Sequence, residues 1–181
     1  CGLGPGAAVL LAAAMTAEKL TAAARRCVEA AKQRKIILTA AESCTGGLVS
    51  AALTDIPGAS AVFERGYVTY ADAAKRDLLG VAGSLIDAHG AVSFQVAKAM
   101  AEGALAQSGA DLAVAVTGIA GPDGGTPIKP VGLVFVATAG LGQGPAVDEY
   151  RFGDLGRSAI RESSAVQALR LLLRRMETQM R

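Results

Sequence analysis

Ile36-Ile37-Leu38-Thr39-Ala40-Ala41-Glu42-Ser43-Cys44-Thr45-Gly46-Gly47-Leu48-Val49-Ser50-Ala51-Ala52-Leu53 is the stretch that decides the fold. Its opening is apolar without a two-residue alternation, which predicts a strand over 36–40 buried on both faces. A polar, glycine-containing turn follows. An amphipathic segment from Thr45 to about Ile56 then predicts a helix, stopped by Pro57-Gly58. A serine in such a strand–turn–helix layout stands at the end of a sheet, beside helix N–H groups that lack intrahelical partners. Those groups can stabilise an oxyanion or a phosphate. The segment therefore offers a nucleophile, an anion-binding loop, or both.

Outward from this stretch the same alternation recurs. A helix is expected over 16–34, with Leu20, Ala24, Cys27 and Ala31 on one apolar stripe. Val62–Ala71 is rich in β-branched and aromatic residues and predicts a strand. Asp72 is then the expected N-cap of a short helix, Ala73–Leu79, which Gly80 ends. A further short helix is expected over Ser84–Ala88, and a longer one, capped by Ser93, over Phe94–Gln107. Buried strands are expected at Ala113–Thr117 and Val131–Thr138, and an edge strand at Glu149–Phe152. The last helix, about Ser158–Gln179, carries Val166, Leu169, Leu173, Met176 and Met180 on a stripe suited to a core or a subunit interface. Apolar strands alternating with helices predict a single α/β domain, a three-layer α/β/α sandwich around a partly parallel, mixed sheet. Ligands in such folds bind beyond the carboxyl ends of the strands. Glu42-Ser43 and Thr117-Gly118 would meet there if their strands are parallel neighbours.

The 181 residues suffice for one domain with a substantial core. Hydrophobic residues make up 51% of them, rich in Ala and without Trp, which points to close packing of small side chains. The net charge is only +2, and the basic clusters fall near helix C-termini, where the helix dipole favours cations. No nucleic-acid partner is expected. The apolar run Ala7–Met15 is too short to span a bilayer, so no membrane partner is expected either. Residues 1–15 are expected to be a non-native or disordered tail before a domain over 16–181, with Met15 as the natural start. Three scattered cysteines, Cys1, Cys27 and Cys44, fit a reducing, cytoplasmic setting and show no metal-ligand spacing. No metal and no cofactor is expected. GxxxxGK[ST] and GxGxxG are both missing, which argues against the common nucleotide-binding loops.

Ser43 is the leading nucleophile candidate, and a serine needs a base. His89 is the only histidine, but it sits at an expected helix end, Asp87-Ala88-His89-Gly90, where a capping role explains it. Lys75 is the alternative base. It must be neutral to accept a proton, and small apolar neighbours such as Ala71, Ala73, Ala74 and Leu78 would favour that. Cys44 is a rival nucleophile, since a helix N-terminus lowers a thiol's pKa. Its bland reading is a buried residue facing away from the site. Glu42 orients a base or substrate, or simply caps the helix. Gly46, Gly47, Gly118, Gly121, Gly124 and Gly125 serve a phosphate, or only turns.

Four ordered blocks carry a family resemblance. They are Ala41-Glu42-Ser43-Cys44-Thr45-Gly46-Gly47, Phe63-Glu64-Arg65-Gly66-Tyr67-Val68-Thr69-Tyr70, His89-Gly90-Ala91-Val92-Ser93, and Thr117-Gly118-Ile119-Ala120-Gly121-Pro122-Asp123-Gly124-Gly125. Over about residues 16–179 the chain resembles the CinA C-terminal domain family, in its stand-alone form. The resemblance implies a nicotinamide-nucleotide amidase that deamidates nicotinamide mononucleotide through a Ser–Lys dyad. It makes Ser43 the nucleophile, Lys75 the base, and Tyr70 and Thr117 assisting residues. The substrate-binding set is then Glu42, Cys44, Thr45, Gly46, Gly47, Thr117, Gly118 and Arg157. Family members carry an arginine after a Gly-Asp pair. Here Leu155-Gly156 intervenes after Gly153-Asp154, which makes Arg157 an imperfect match and Arg161 a possible substitute. The expected partner is the small nucleotide, with the chain as a homo-oligomer. The alternatives are an inactive regulatory or binding domain of the competence-damage type, or an amidase for another small carboxamide.

Overall fold

A computed structural model of the chain describes residues 5–178, with side chains from Lys19 onward. Its elements in order are α1 (Pro5–Arg34), β1 (Leu38–Glu42), α2 (Leu48–Thr54), a 3-10 turn (Ala59–Ala61), β2 (Phe63–Val68), α3 (Asp72–Leu79), α4 (Gly83–His89), α5 (Phe94–Ala106), β3 (Leu112–Gly118), β4 (Leu133–Gly140), β5 (Gln143–Arg151) and α6 (Arg157–Thr178). The first helix thus runs back to Pro5, well before the expected start at residue 16. Residues 1–4 of the expected tail lie outside the described residues.

The five strands form one sheet in the order β2-β1-β3-β4-β5. β2, β1 and β3 are parallel, and β4 and β5 continue antiparallel. The mixed sheet agrees with the sequence reading, and so does the layering. Residues alternate between faces along each strand. Leu38, Ala40, Val114, Val116, Val134 and Val136 pack with α1, α2 and α6. Ala41, Ala113, Ala115, Leu133, Phe135 and Ala137 pack with α5 and the ends of α3 and α4. Alanines dominate the second face, so α5 can approach the sheet closely. Its expected stripe, Val96, Met100 and Ala104, is fully buried there. In α1, Ala24, Cys27 and Ala31 are likewise fully buried. Leu169, Leu173 and Met176 are used up in this chain's own core, and Val166 is buried beside them on α6; Met180 lies outside the described residues.

Several boundaries moved for local reasons. α2 begins at Leu48 rather than Thr45, because Gly46 (φ 59°) and Gly47 (φ 98°) occupy left-handed backbone that a right-handed helix cannot include. Asp72 is the first residue of α3, not its cap. Ala71 occupies the cap position without a side-chain bond, and the Asp72 carboxylate turns to Lys75 instead. Ser93 does cap α5, accepting a hydrogen bond from Val96 N–H. β5 starts at Gln143, six residues before the expected Glu149. It pairs with β4 through a tight hairpin in which Leu141 (φ 58°) and Gly142 (φ 67°) are both left-handed. Among the described residues, no helix is long and apolar enough to cross a membrane.

Candidate active site

The site is built where the three parallel strands end. Ser43 N–H donates to Val116 O (2.9 Å), and Thr69 N–H donates to Glu42 O (2.8 Å), so the ladder continues one residue past β1 on both sides. Alternation then assigns the side chains. Glu42 points to the α2 and α6 face, Ser43 to the α3 and α5 face, and Cys44 back into the α1–α2–α6 core. Thr117, the next residue after Ala113 and Ala115 on their face of β3, shares the Ser43 side. Its hydroxyl donates to Ala91 O at 2.8 Å.

Lys75 comes to Ser43 from α3. The inward stripe of this short helix is Lys75 and Leu79, one turn apart. Lys75 is only 1% exposed. Its Nζ lies 3.2 Å from Ser43 Oγ and donates to Thr69 O (3.0 Å) and Tyr70 O (3.2 Å). Burial holds the amine below its ordinary pKa. The Asp72 carboxylate, 3.6 Å away, opposes that shift. The apolar neighbours expected to bury Lys75 do not do so: Ala71, Ala73 and Leu78 face solvent. The sheet end and the Thr69–Tyr70 turn bury it instead. Two carbonyls suit the two N–H bonds of a neutral amine, which leaves its lone pair for the Ser43 hydroxyl.

These groups line a cavity of ≈ 210 Å³ formed by Ser43, Cys44, Tyr70, Asp72, Lys75, Ala91, Val92, Thr117, Gly118, Ala120 and Arg157. Arg157, the first residue of α6, donates to Gly121 O (2.9 Å) and to the Tyr70 hydroxyl (2.8 Å) at its rim. Leu155-Gly156 lies in a turn with left-handed Gly153 and Gly156, and the Arg157 side chain reaches the site. Arg161, one helical turn on, does not line the cavity. It bonds the main chain of the turn after Ser43 from below, at Cys44 O and Thr45 O.

Glu42, Thr45, Gly46 and Gly47 are not cavity-lining residues. Glu42 is fully buried, and its carboxylate accepts from the N–H groups of Gly47 (3.0 Å), Val49 (3.0 Å) and Ser50 (2.8 Å) and from Ser50 Oγ (2.7 Å). It caps α2, the bland alternative of the sequence reading, and the negative charge sits favourably at that helix start. Gly46 N–H is occupied by Ser43 O (3.0 Å). Among the described residues, no backbone carbonyl accepts from the Cys44 or Thr45 N–H group.

The rival groups fall away on geometry. His89 is exposed at the end of α4 and does not line the cavity. Cys44 is buried, and burial pushes its thiol up to about 12, which removes the thiolate a nucleophile needs. Asp72 is the lining residue to which the sequence reading gave only a capping role. Its spacing of three from Lys75 was the available signal.

Fold and site together define a class: an α/β domain holding a serine against a buried lysine at the carboxyl end of a mixed sheet. The chain belongs to the CinA C-terminal domain family, whose model matches residues 20–176. A nicotinamide-nucleotide amidohydrolase PncC from Enterobacter agglomerans is 52% identical over 138 residues, covering 76% of this chain and 83% of that protein. A CinA-like protein from Akkermansia muciniphila is 54% identical over 141 residues, covering 78% of this chain and 34% of that protein. This chain thus spans about a third of the length of the first such relatives. The crystal structure of the competence/damage inducible protein CihA from Agrobacterium tumefaciens superposes with a TM-score of 0.85 at 48% identity, covering 86% of this chain and 94% of that one.

Proposed function

We propose that the chain hydrolyses the carboxamide of nicotinamide mononucleotide, with Ser43 as nucleophile and Lys75 as base. The observation that carries this reading is the 3.2 Å approach of Lys75 Nζ to Ser43 Oγ inside a cavity. The relative named as a nicotinamide-nucleotide amidohydrolase supports the choice of substrate.

Ser43 Oγ forms a bond to the carboxamide carbon while its proton passes to Lys75 Nζ. The resulting oxyanion takes the N–H groups of Cys44 and Thr45, and donors of this kind are worth about 3–4 kcal/mol each. Collapse breaks the C–N bond, and ammonia leaves with the proton returned by Lys75. Lys75 then takes a proton from a water that attacks the acyl carbon, and returns it to Ser43 Oγ as the ester bond breaks and nicotinate mononucleotide leaves. At ≈ 210 Å³ the cavity is smaller than the roughly 300–1,000 Å³ of a full ligand pocket, so it takes the pyridine carboxamide. The ribose phosphate lies outside it, toward Arg157 and the glycine-rich loop after Gly121. That loop forms a second hollow of ≈ 440 Å³ lined by Gly124, Gly125 and Thr126.

The test is ammonia release from nicotinamide mononucleotide by the wild type, Ser43→Ala and Lys75→Met. Turnover by the wild type alone is the expected result. An inactive wild type would reject the substrate, and an active Ser43→Ala would reject the nucleophile.

A further inference from the structure

Arg161 sits beneath the nucleophile turn in an arrangement that the amidase reading leaves unused. Its Nε donates to Cys44 O (3.1 Å), and its Nη2 donates to Thr45 O (2.8 Å). The contact joins α6 to a turn 116 residues earlier in the chain. Gly46 belongs to the same contact. A Cβ there would stand 3.2 Å from Arg161 Nη2, so the bare glycine leaves room for the guanidinium.

The consequence follows from peptide geometry. In a trans peptide the carbonyl and the next N–H point in opposite directions. Holding Cys44 O toward α6 turns Thr45 N–H away from α6, to the side on which Ser43 projects. Holding Thr45 O in the same way turns Gly46 N–H back toward Ser43 O, which accepts it at 3.0 Å. That bond fixes the Ser43–Cys44 peptide and so aims Cys44 N–H. A cation on Cys44 O also polarises the Cys44–Thr45 peptide unit, which strengthens Thr45 N–H as a donor.

We infer that Arg161 is the positioning residue of the oxyanion site, locking the Cys44 and Thr45 peptides so that both N–H groups face the reacting carbonyl. The inference rests on the Ser43–Lys75 reading. It assigns Arg161 no contact with substrate, unlike Arg157 at the rim.

The experiment compares the wild type with Arg161→Met and Arg161→Lys in three measurements. These are kcat and KM for nicotinamide mononucleotide, the rate of Ser43 acylation by p-nitrophenyl acetate, and thermal melting. Arg161→Met should lower kcat and the acylation rate about 10- to 100-fold, with KM within about twofold, because a small misplacement of donors costs that much. Arg161→Lys keeps the charge but replaces the rigid two-nitrogen fork with one nitrogen on a shorter stem, so it should lose several-fold while melting near the wild type. A rise in KM with kcat unchanged would instead make Arg161 a substrate-binding group and overturn the inference. So would wild-type acylation by a folded Arg161→Met. If Arg161→Met does not fold, Arg161→Lys decides, and a wild-type acylation rate in it overturns the inference. Acylation without ammonia release in the wild type would reject the nucleotide substrate, while the ester reaction still tests Arg161. No acylation by either compound would remove both.

Discussion

Lys75 Nζ lies 3.2 Å from Ser43 Oγ, across 32 residues of sequence, and is almost sealed from solvent. In its proposed role as base, Lys75 works only when neutral. Burial lowers the Lys75 pKa from its ordinary 10.5, so the neutral fraction appears at lower pH than for a free lysine. Activity should therefore rise with pH through the Lys75 titration, with its midpoint below 10.5. Lys75→Met should lose that limb together with most of the rate. The stability sign is the same: over the interval between the lowered pKa and 10.5 the unfolded chain binds the extra proton, so stability should also rise with pH there. Initial rates and thermal melts across an alkaline pH series check both.

Among the described residues, Asp72 is the one carboxylate paired with Lys75, at 3.6 Å, and it favours the charged amine. Asp72→Asn should shift the activity limb to lower pH without removing it. An unmoved limb would mean that Asp72, half exposed, is screened by water from the amine.

Glu42 should be worth more to stability than to binding. Its buried carboxylate accepts four donors, three of them N–H groups at the start of α2. Glu42→Ala leaves those donors unpaired, and a loss of about 3–5 kcal/mol is expected for so buried a charge-assisted set. Denaturant midpoints measure it. Glu42→Gln should fall in between, because its amide NH2 meets donors on every side.

Cys44 should prove dispensable as a nucleophile. With its thiol pushed up to about 12 and its side chain in the core, it should resist iodoacetamide in the folded protein. Cys44→Ala should keep activity within a few-fold while losing about 1–2 kcal/mol of stability to the small void it opens. Alkylation followed by mass spectrometry, beside an ammonia assay, separates the two effects.

The parts of the fold visible in the sequence are those where local pattern and tertiary environment agree. Ala113–Thr117 reads as a central strand because both its faces are covered by helices, and it is one. The front half of β5 is invisible for the opposite reason. Gly144 and Pro145 argue against a strand, and an edge position tolerates both. At the site, the Glu42-Ser43-Cys44 alternation follows directly from strand geometry. That Lys75 meets Ser43 depends on how α3 packs across the sheet, which no spacing encodes. The distinction between Arg157 and Arg161 is similar. They are four residues apart on one helix, yet one reaches the cavity rim and the other the underside of the turn.

Gly103 offers a test of that packing away from the chemistry. Gly103 lies in the last turn of α5, and within a helix an alanine should be worth up to about 1 kcal/mol more than glycine on propensity alone. Here a Cβ would press into the carbonyl oxygen of Leu79 and stand 2.9 Å from its carbonyl carbon and 3.0 Å from its Cβ, at the end of α3. Backbone cannot swing aside as a flexible side chain can, so α3 must move as a unit. Gly103→Ala should therefore be destabilising by about 1–3 kcal/mol despite the propensity gain. Because α3 carries Lys75, the same shift should draw Nζ away from Ser43 Oγ and lower kcat more than KM. Gly109→Ala has open space around its Cβ position and provides the control, with stability and rates near the wild type. Equal behaviour of the two variants would show that α3 is not held to the sheet by its contact with α5.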